Sequence, residues 1–212
     1  MATKLKLYRA AVLLVKQNAV DLAVTDDSAF VNTLDLVYDD VLAFCLEAGD
    51  WNYATRTVAI EASEDEEPAF GFGFAVEKPD DYAGRVVAIS ANERFYPPLE
   101  QYHDEGGLEG HFHTDCDPLY LRYISNGNEY GLNLADWHPA FERYFEYELA
   151  WRIAPQLTNM GEDATDRFEK RKNKALHNAQ AQDARNHGAQ PLPQGRLVQS
   201  RGYPSSRSRW RW

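Results

Sequence analysis

The hydrophobic period of this chain changes twice, and that double switch narrows the folds open to it more than any other feature. Near the start, Leu5, Leu7, Tyr8, Ala11, Val12 and Val15 recur at helical spacing across residues 4–17. Residues 21–27 are polar enough to form a connection, and Asp27 or Ser28 is placed to cap a second helix. There Val31, Leu34, Tyr38, Val41, Leu42 and Cys45 return every three or four residues. Gly49 then reads as a C′ glycine, the position at which a left-handed residue closes a helix. From Trp51 the period falls to two, with Ala54, Arg56, Val58 and Ile60 alternating against Thr55, Thr57 and Ala59. The run Phe70-Gly71-Phe72-Gly73-Phe74 keeps that period, which predicts three Phe on one face and two Gly on the other, open to a close backbone. Residues 78–82 read as a turn, residues 85–90 as a strand and residues 96–112 as a strand pair broken at Glu105-Gly106-Gly107. Residues 119–124 form a last strand, ended by Asn126-Gly127-Asn128.

Helical period returns with Asp136 as N-cap and Pro139 in the first turn, where a missing N–H is tolerated. Trp137, Phe141, Tyr144, Phe145, Glu148, Leu149, Arg152 and Ile153 define its strong face, and Pro155 must kink or end it. A final helix over residues 163–186 is polar almost all round, with Phe168, Ala175, Leu176, Ala179 and Ala184 as its apolar contacts. Such a helix must lean on something, for instance a neighbour in an oligomer. The expected class is α+β: a helical bundle of the N- and C-terminal helices, an inserted antiparallel β-rich domain, and an extended C-terminal arm. The boundaries are residues 1–50 and 136–187 for the helical parts, 51–135 for the insertion and 188–212 for the arm.

Charge separates the arm from the body. The net charge is −11, yet residues 188–212 hold five arginines and no acid, so the arm is +5 and the preceding 187 residues are −16. A body this acidic repels nucleic acid at long range. No window approaches the roughly 18 to 20 apolar residues of a membrane helix. The apolar run of residues 10–15, flanked by Arg9 and Lys16, is too short for a secretory signal. Cys45 and Cys116 lack Cys-x-x-Cys spacing and read as free thiols in a reducing compartment.

Motifs that carry chemistry are scarce. His111 and His113, with His103, Asp115, Cys116 and Asp117 nearby, would share a face if they lay on a strand, as a zinc site requires. Without His-x-x-Glu-His or paired cysteines, the segment reads as a polar hairpin tip, and neither a metal nor a cofactor is expected. The acids of residues 61–67, Asp80 with Asp81, and Asp115 with Asp117 could serve glycoside hydrolysis only if enclosed at fixed separation; in Gly/Pro-rich loops they read as solvated surface. No nucleophile elbow, phosphate loop or dinucleotide fingerprint is present, so no enzymatic role is expected.

The arm is the strongest functional signal. Arg196, Arg201, Tyr203, Arg207, Arg209, Trp210, Arg211 and Trp212 interleave cations with aromatics. A solubilising tail would normally lack tryptophan. A nucleic-acid tail suits arginine and stacking rings, yet five charges on a −16 body are a small footprint. A protein-docking arm fits best, since Trp and Arg dominate interface hot spots.

The order of these features carries a resemblance. "CLEAGDWNYATRTV" is a helix end, a Trp and a strand; "FAVEKPDDYAGRVVAI" is a strand, a Pro-Asp turn and a second strand. "LYLRYISN" then leads into "DWHPAFERYFEYELAWRIAPQLT" and a polar helix. Over residues 5–186 the chain resembles the head–tail adaptor (head-to-tail connector) proteins of short-tailed bacteriophages, the tail tubular protein A type. The resemblance implies a structural virion protein at the head–tail interface, assembled in the host cytoplasm. It implies a twelve-fold homo-oligomeric ring that binds the portal protein, carries the tail nozzle and tail fibre proteins, and passes DNA without sequence-specific binding. The Arg/Trp ending departs from the family pattern, leaving the portal or an adjacent subunit as what it grips. The rival expectations are a tail-associated cell-wall hydrolase and a DNA-binding packaging factor.

Overall fold

The computed structural model describes residues 3–16, 29–157 and 162–186. The cap at Asp27 or Ser28, the connection over residues 21–27 and the whole arm lie outside them. Within them the chain is α+β. Four helices, α1 (Lys4–Lys16), α2 (Ala29–Glu47), α3 (Pro139–Leu157) and α4 (Glu162–Asn186), accompany six strands: β1 (Thr55–Ile60), β2 (Phe74–Glu77), β3 (Tyr82–Ser90), β4 (His103–Asp104), β5 (His111–Thr114) and β6 (Leu119–Ser125). The strands form two antiparallel sheets, ordered β1-β6-β3 and β2-β5-β4.

The apolar stripes expected from spacing are the buried ones. Leu7, Tyr8, Ala11, Val12 and Val15 of α1 meet Leu34, Val41, Cys45 and Leu46 of α2 and Phe141, Phe145, Leu149 and Ile153 of α3 in one core. Trp51 and Trp137 are its polar-handled anchors. The Trp51 indole N–H donates to the Cys45 carbonyl at 2.8 Å, and its ring meets Phe141 edge-on at 4.8 Å. The Trp137 N–H donates to the Gly131 carbonyl at 3.0 Å. Each fully buried ring of this kind contributes on the order of 2–3 kcal/mol, provided its N–H is satisfied. A second core joins the two sheets through Val76, Phe112, Tyr82, Ile89, Leu119, Leu121 and Tyr123. Strand β6 belongs to both cores. Its alternation sends Leu119, Leu121 and Tyr123 toward the second core, while Ile124, one step out of phase, joins the helical one.

Several local expectations are corrected. The Phe-Gly run is not a strand. Residues 70–73 form a turn, Gly71 has φ 97°, and β2 begins only at Phe74. Gly71 serves backbone conformation and not a close neighbour, since no atom lies within 4 Å of a Cβ built on it, while a Cβ on Gly73 would meet Asp115 Oδ1 at an ordinary 3.7 Å. The strand pair expected from residue 96 shrinks to β4 and β5, because Pro97 and Pro98 offer no N–H to a ladder. Conversely, β3 starts at Tyr82, three residues before the expected Arg85, and takes up positive φ at Gly84.

At helix ends, Gly49 is not left-handed. A Cβ there would lie 2.9 Å from Trp51 Cζ2, so its role is to let the indole lie against the backbone. Asp136 does not cap α3. The first helical bond runs from the Glu142 N–H to the His138 carbonyl at 3.0 Å, and His138 Nδ1 accepts from the Ala140 N–H at 3.1 Å. His138 is therefore the cap, with Pro139 at the first helical position. Pro155 falls within the final turn of α3. Helix α4 does lean on a neighbour, but within its own chain. Phe168, Ala175 and Ala179 are buried, Ala184 is exposed, Gln180 donates to the Ala48 carbonyl at 2.8 Å, and Asp183 accepts from the Asn52 N–H at 3.1 Å.

Candidate functional site

The His-rich segment around β4 and β5 is laced with hydrogen bonds. His111 and His113 do share a face of β5, as strand geometry requires, and Glu105 reaches both. His113 Nδ1 accepts from the Ala69 N–H at 3.1 Å, so its proton sits on Nε2, which donates to Glu105 Oε1 at 3.0 Å. Both ring nitrogens are thus engaged. Hydrogen bonds from the His113 ring and the His111 N–H hold the Glu105 carboxyl below the usual carboxylate range. His103, paired with His113 across β4 and β5, stacks on its ring at 5.7 Å. Asp115 accepts from the Gly73 N–H at 2.9 Å, Asp117 accepts from the Ala62 N–H at 3.1 Å, and the Cys116 thiol pairs with the Thr114 hydroxyl. Among the described residues, no group of three or more His, Cys, Asp or Glu side chains could hold a metal ion. Cys45 and Cys116 are both free thiols.

The acid pairs of the sequence part company in space. Asp80 is exposed, whereas Asp81 turns inward and ties β1, β3 and β6 together. It accepts from Arg56 at 2.8 Å, from the Tyr123 hydroxyl at 2.6 Å, and from the Ser125 hydroxyl. Burial alone would raise its pKa. The donors Ser125, Tyr123 and Arg56 outweigh that and hold the carboxyl below its ordinary value. The acids of residues 61–67 behave differently. Glu61, Glu64, Asp65, Glu66 and Glu67 are all exposed on the connection from β1 to β2.

Lys78, Glu142 and Glu148 are buried charges, of which sequence spacing places only Glu148 on a core-facing stripe. Lys78 is buried, and its ammonium donates to Asp104 at 2.6 Å and to the Gly106 and Gly107 carbonyls at 3.1 Å each, fixing the glycine turn beside β4. Glu148 is 1% exposed in the helical core. Its two oxygens face Arg152 at 3.4 Å and Lys172 at 3.1 Å. The Glu148–Arg152 spacing of four was a visible signal; the tie to Lys172 on α4 was not.

The helices present one further feature, a groove of about 610 Å³ between α3 and α4. Arg143, Arg171, Lys174 and Arg185 line it, with no acid among the lining residues; Ala140, Tyr147, Ala175 and Ala181 supply apolar surface. Burial of Phe168, Ala175 and Ala179 against α3 fixes which side of α4 faces outward. Arg171, Lys174, Asn178, Ala181 and Arg185 then fall on one stripe, at steps of three and four. That spacing was legible in the sequence, although α4 was read there only as polar all round. The arm residues Arg196, Arg201, Tyr203, Arg207, Arg209, Trp210, Arg211 and Trp212 lie outside the described residues. No protein-family model matches the chain, and no curated protein matches it.

Proposed function

We propose that this chain is a subunit of a head-to-tail adaptor ring, a structural protein that joins a phage portal to the tail and extends the DNA channel. The observation that carries the reading is the order of elements. Helices stand before and after antiparallel strands, a Trp opens the strand block and a long polar helix closes the sequence of elements, in the order that the resemblance over residues 5–186 implies. In this reading the four helices act as a bundle, residues 51–135 act as an inserted domain, and residues 188–212 form the gripping arm. The charge pattern supports it. A −16 body lets DNA pass without adhering, while a +5 arm with two terminal tryptophans grips a protein neighbour. Arms repeated around a ring would grip in sum even where each contact is weak.

The test is binding to the portal protein of the same phage. The full chain should be retained on immobilised portal, and deletion of residues 194–212 should abolish retention. Trp210→Ala with Trp212→Ala should weaken it while leaving the melting of the body unchanged. Absence of binding by the full chain, or unchanged binding after deletion, would contradict the proposal; a large drop in melting temperature would make the arm part of the core.

A further inference from the structure

We propose that the α3–α4 groove is a docking slot for the acidic loop of residues 61–67 of a second copy of this chain. The inference rests on the ring reading above and names the surfaces through which neighbours would meet.

The groove is an island of positive charge on a strongly negative body. Arg171, Lys174 and Arg185 are exposed and form no ion pair among the described residues, while Arg143 stacks over Tyr147 at 5.9 Å and feels the Glu146 carboxylate on its own helix. The three cations of α4 meet no lining acid and repel one another, an arrangement that lowers stability unless an anion settles between them. The chain's own arm has the wrong sign to be that anion, with five arginines and no acid.

The acidic loop has the complementary chemistry. Glu61, Glu64, Asp65, Glu66 and Glu67 are exposed and make no ion pair among the described residues. On a helix rising 1.5 Å per residue, Arg171 and Arg185 stand roughly 21 Å apart. The loop bends over residues 64–66, so it meets part of that stripe rather than its whole length. The apolar strip of Ala140, Tyr147, Ala175 and Ala181 gives Pro68, half-buried at the end of the loop, a surface to rest on. Within one chain the two do not meet: the loop joins β1 to β2, the groove lies between α3 and α4, and no ion pair links them. The pairing is therefore between copies. Because the groove and the loop are different surfaces, the contact is head-to-tail, the type that closes into a ring when the rotation allows. In bodies that otherwise repel, such a contact also fixes register and excludes wrong orientations.

DNA phosphates are the competing anion. The −16 net charge of residues 1–187 disfavours them at long range, and the groove offers a single aromatic ring for stacking.

The experiment is sedimentation velocity on the full chain, with and without the portal protein, at low and high salt. One variant carries Arg171→Glu, Lys174→Glu and Arg185→Glu; another carries Glu64→Lys, Asp65→Lys, Glu66→Lys and Glu67→Lys; a third carries all seven. Every substituted side chain is exposed, and circular dichroism verifies that each variant folds. Wild type should assemble, and assembly should weaken as salt screens the contact. Each single-surface reversal should raise the apparent dissociation constant at least about tenfold, and the sevenfold reversal should restore assembly. Wild-type assembly that ignores both reversals, or a folded sevenfold variant that stays apart, overturns the docking slot while leaving the ring reading standing. Wild type that never assembles, even on portal, overturns the ring reading and the slot together. A groove reversal that assembles normally but loses retention of duplex DNA makes the groove a phosphate site and overturns the slot.

Discussion

Replacing Asp81 by alanine removes the acceptor that three donors share at the junction of β1, β3 and β6. Tyr123 and Ser125 are both 0% exposed, so each hydroxyl loses its acceptor at a buried position when the carboxylate is removed. A buried donor left unsatisfied costs roughly 1–3 kcal/mol. Arg56 is 40% exposed at its side chain and regains solvent, so its ion pair adds at most about 1 kcal/mol. The expected loss for Asp81→Ala is therefore about 3–4 kcal/mol, or roughly 10 °C in Tm for a chain of this size. Asp81→Asn keeps one acceptor and the shape, and should lose about half as much. The pH dependence has a defined sign. Because the folded pKa lies below the unfolded one, the contribution of Asp81 is complete above roughly pH 5 and fades as pH falls through the carboxylate range toward its lowered folded value. Urea unfolding at several pH values, at one fixed protein concentration, reads both effects. The variants should lie well below wild type at pH 7 and converge on it in acid. A loss under about 1 kcal/mol at pH 7, or a gap between wild type and variant that does not narrow in acid, would refute the assignment of Asp81 as the tie between these strands.

Two further substitutions probe the helical core. Gly49→Ala places a Cβ 2.9 Å from the Trp51 ring and should cost roughly 1–3 kcal/mol with a change in Trp fluorescence; an unperturbed melting curve would mean the indole can move aside. Glu148→Gln leaves Lys172 facing a neutral group in the core and should cost about 2 kcal/mol; a double-mutant cycle with Lys172→Met should give a coupling of about 1 kcal/mol or more, and a coupling near zero would break the proposed tie between α3 and α4.

The parts of the fold that were legible are those in which one residue period decides burial. The stripes of α1, α2 and α3 follow from three-and-four spacing, because each of these helices has one face to bury, whereas spacing shows β6 as a strand but not its burial on both sides, in two cores. The misreadings share a cause: a local pattern with two physical solutions. Alternating Phe and Gly satisfy a strand, yet they equally satisfy a turn with positive φ at Gly71. Glycine after a helix suits a left-handed cap, yet at Gly49 what decides is an indole two residues along. Asp136 and His138 are both able to cap, and the choice depends on where Trp137 must point to reach Gly131. Long-range ties such as Asp81 to Tyr123, or Lys172 to Glu148, leave no trace in spacing. The candidate site divides likewise. The cation stripe of α4 was visible in its spacing, but its opposition to Arg143 on α3 depends on the packing angle of two helices.

Native mass spectrometry of the full chain, alone and mixed with the portal protein, tests the central claim most directly. The account predicts a closed assembly of many copies that forms alone or on the portal and joins it as one complex. A monomer in both samples, with the portal's mass unchanged, would contradict it.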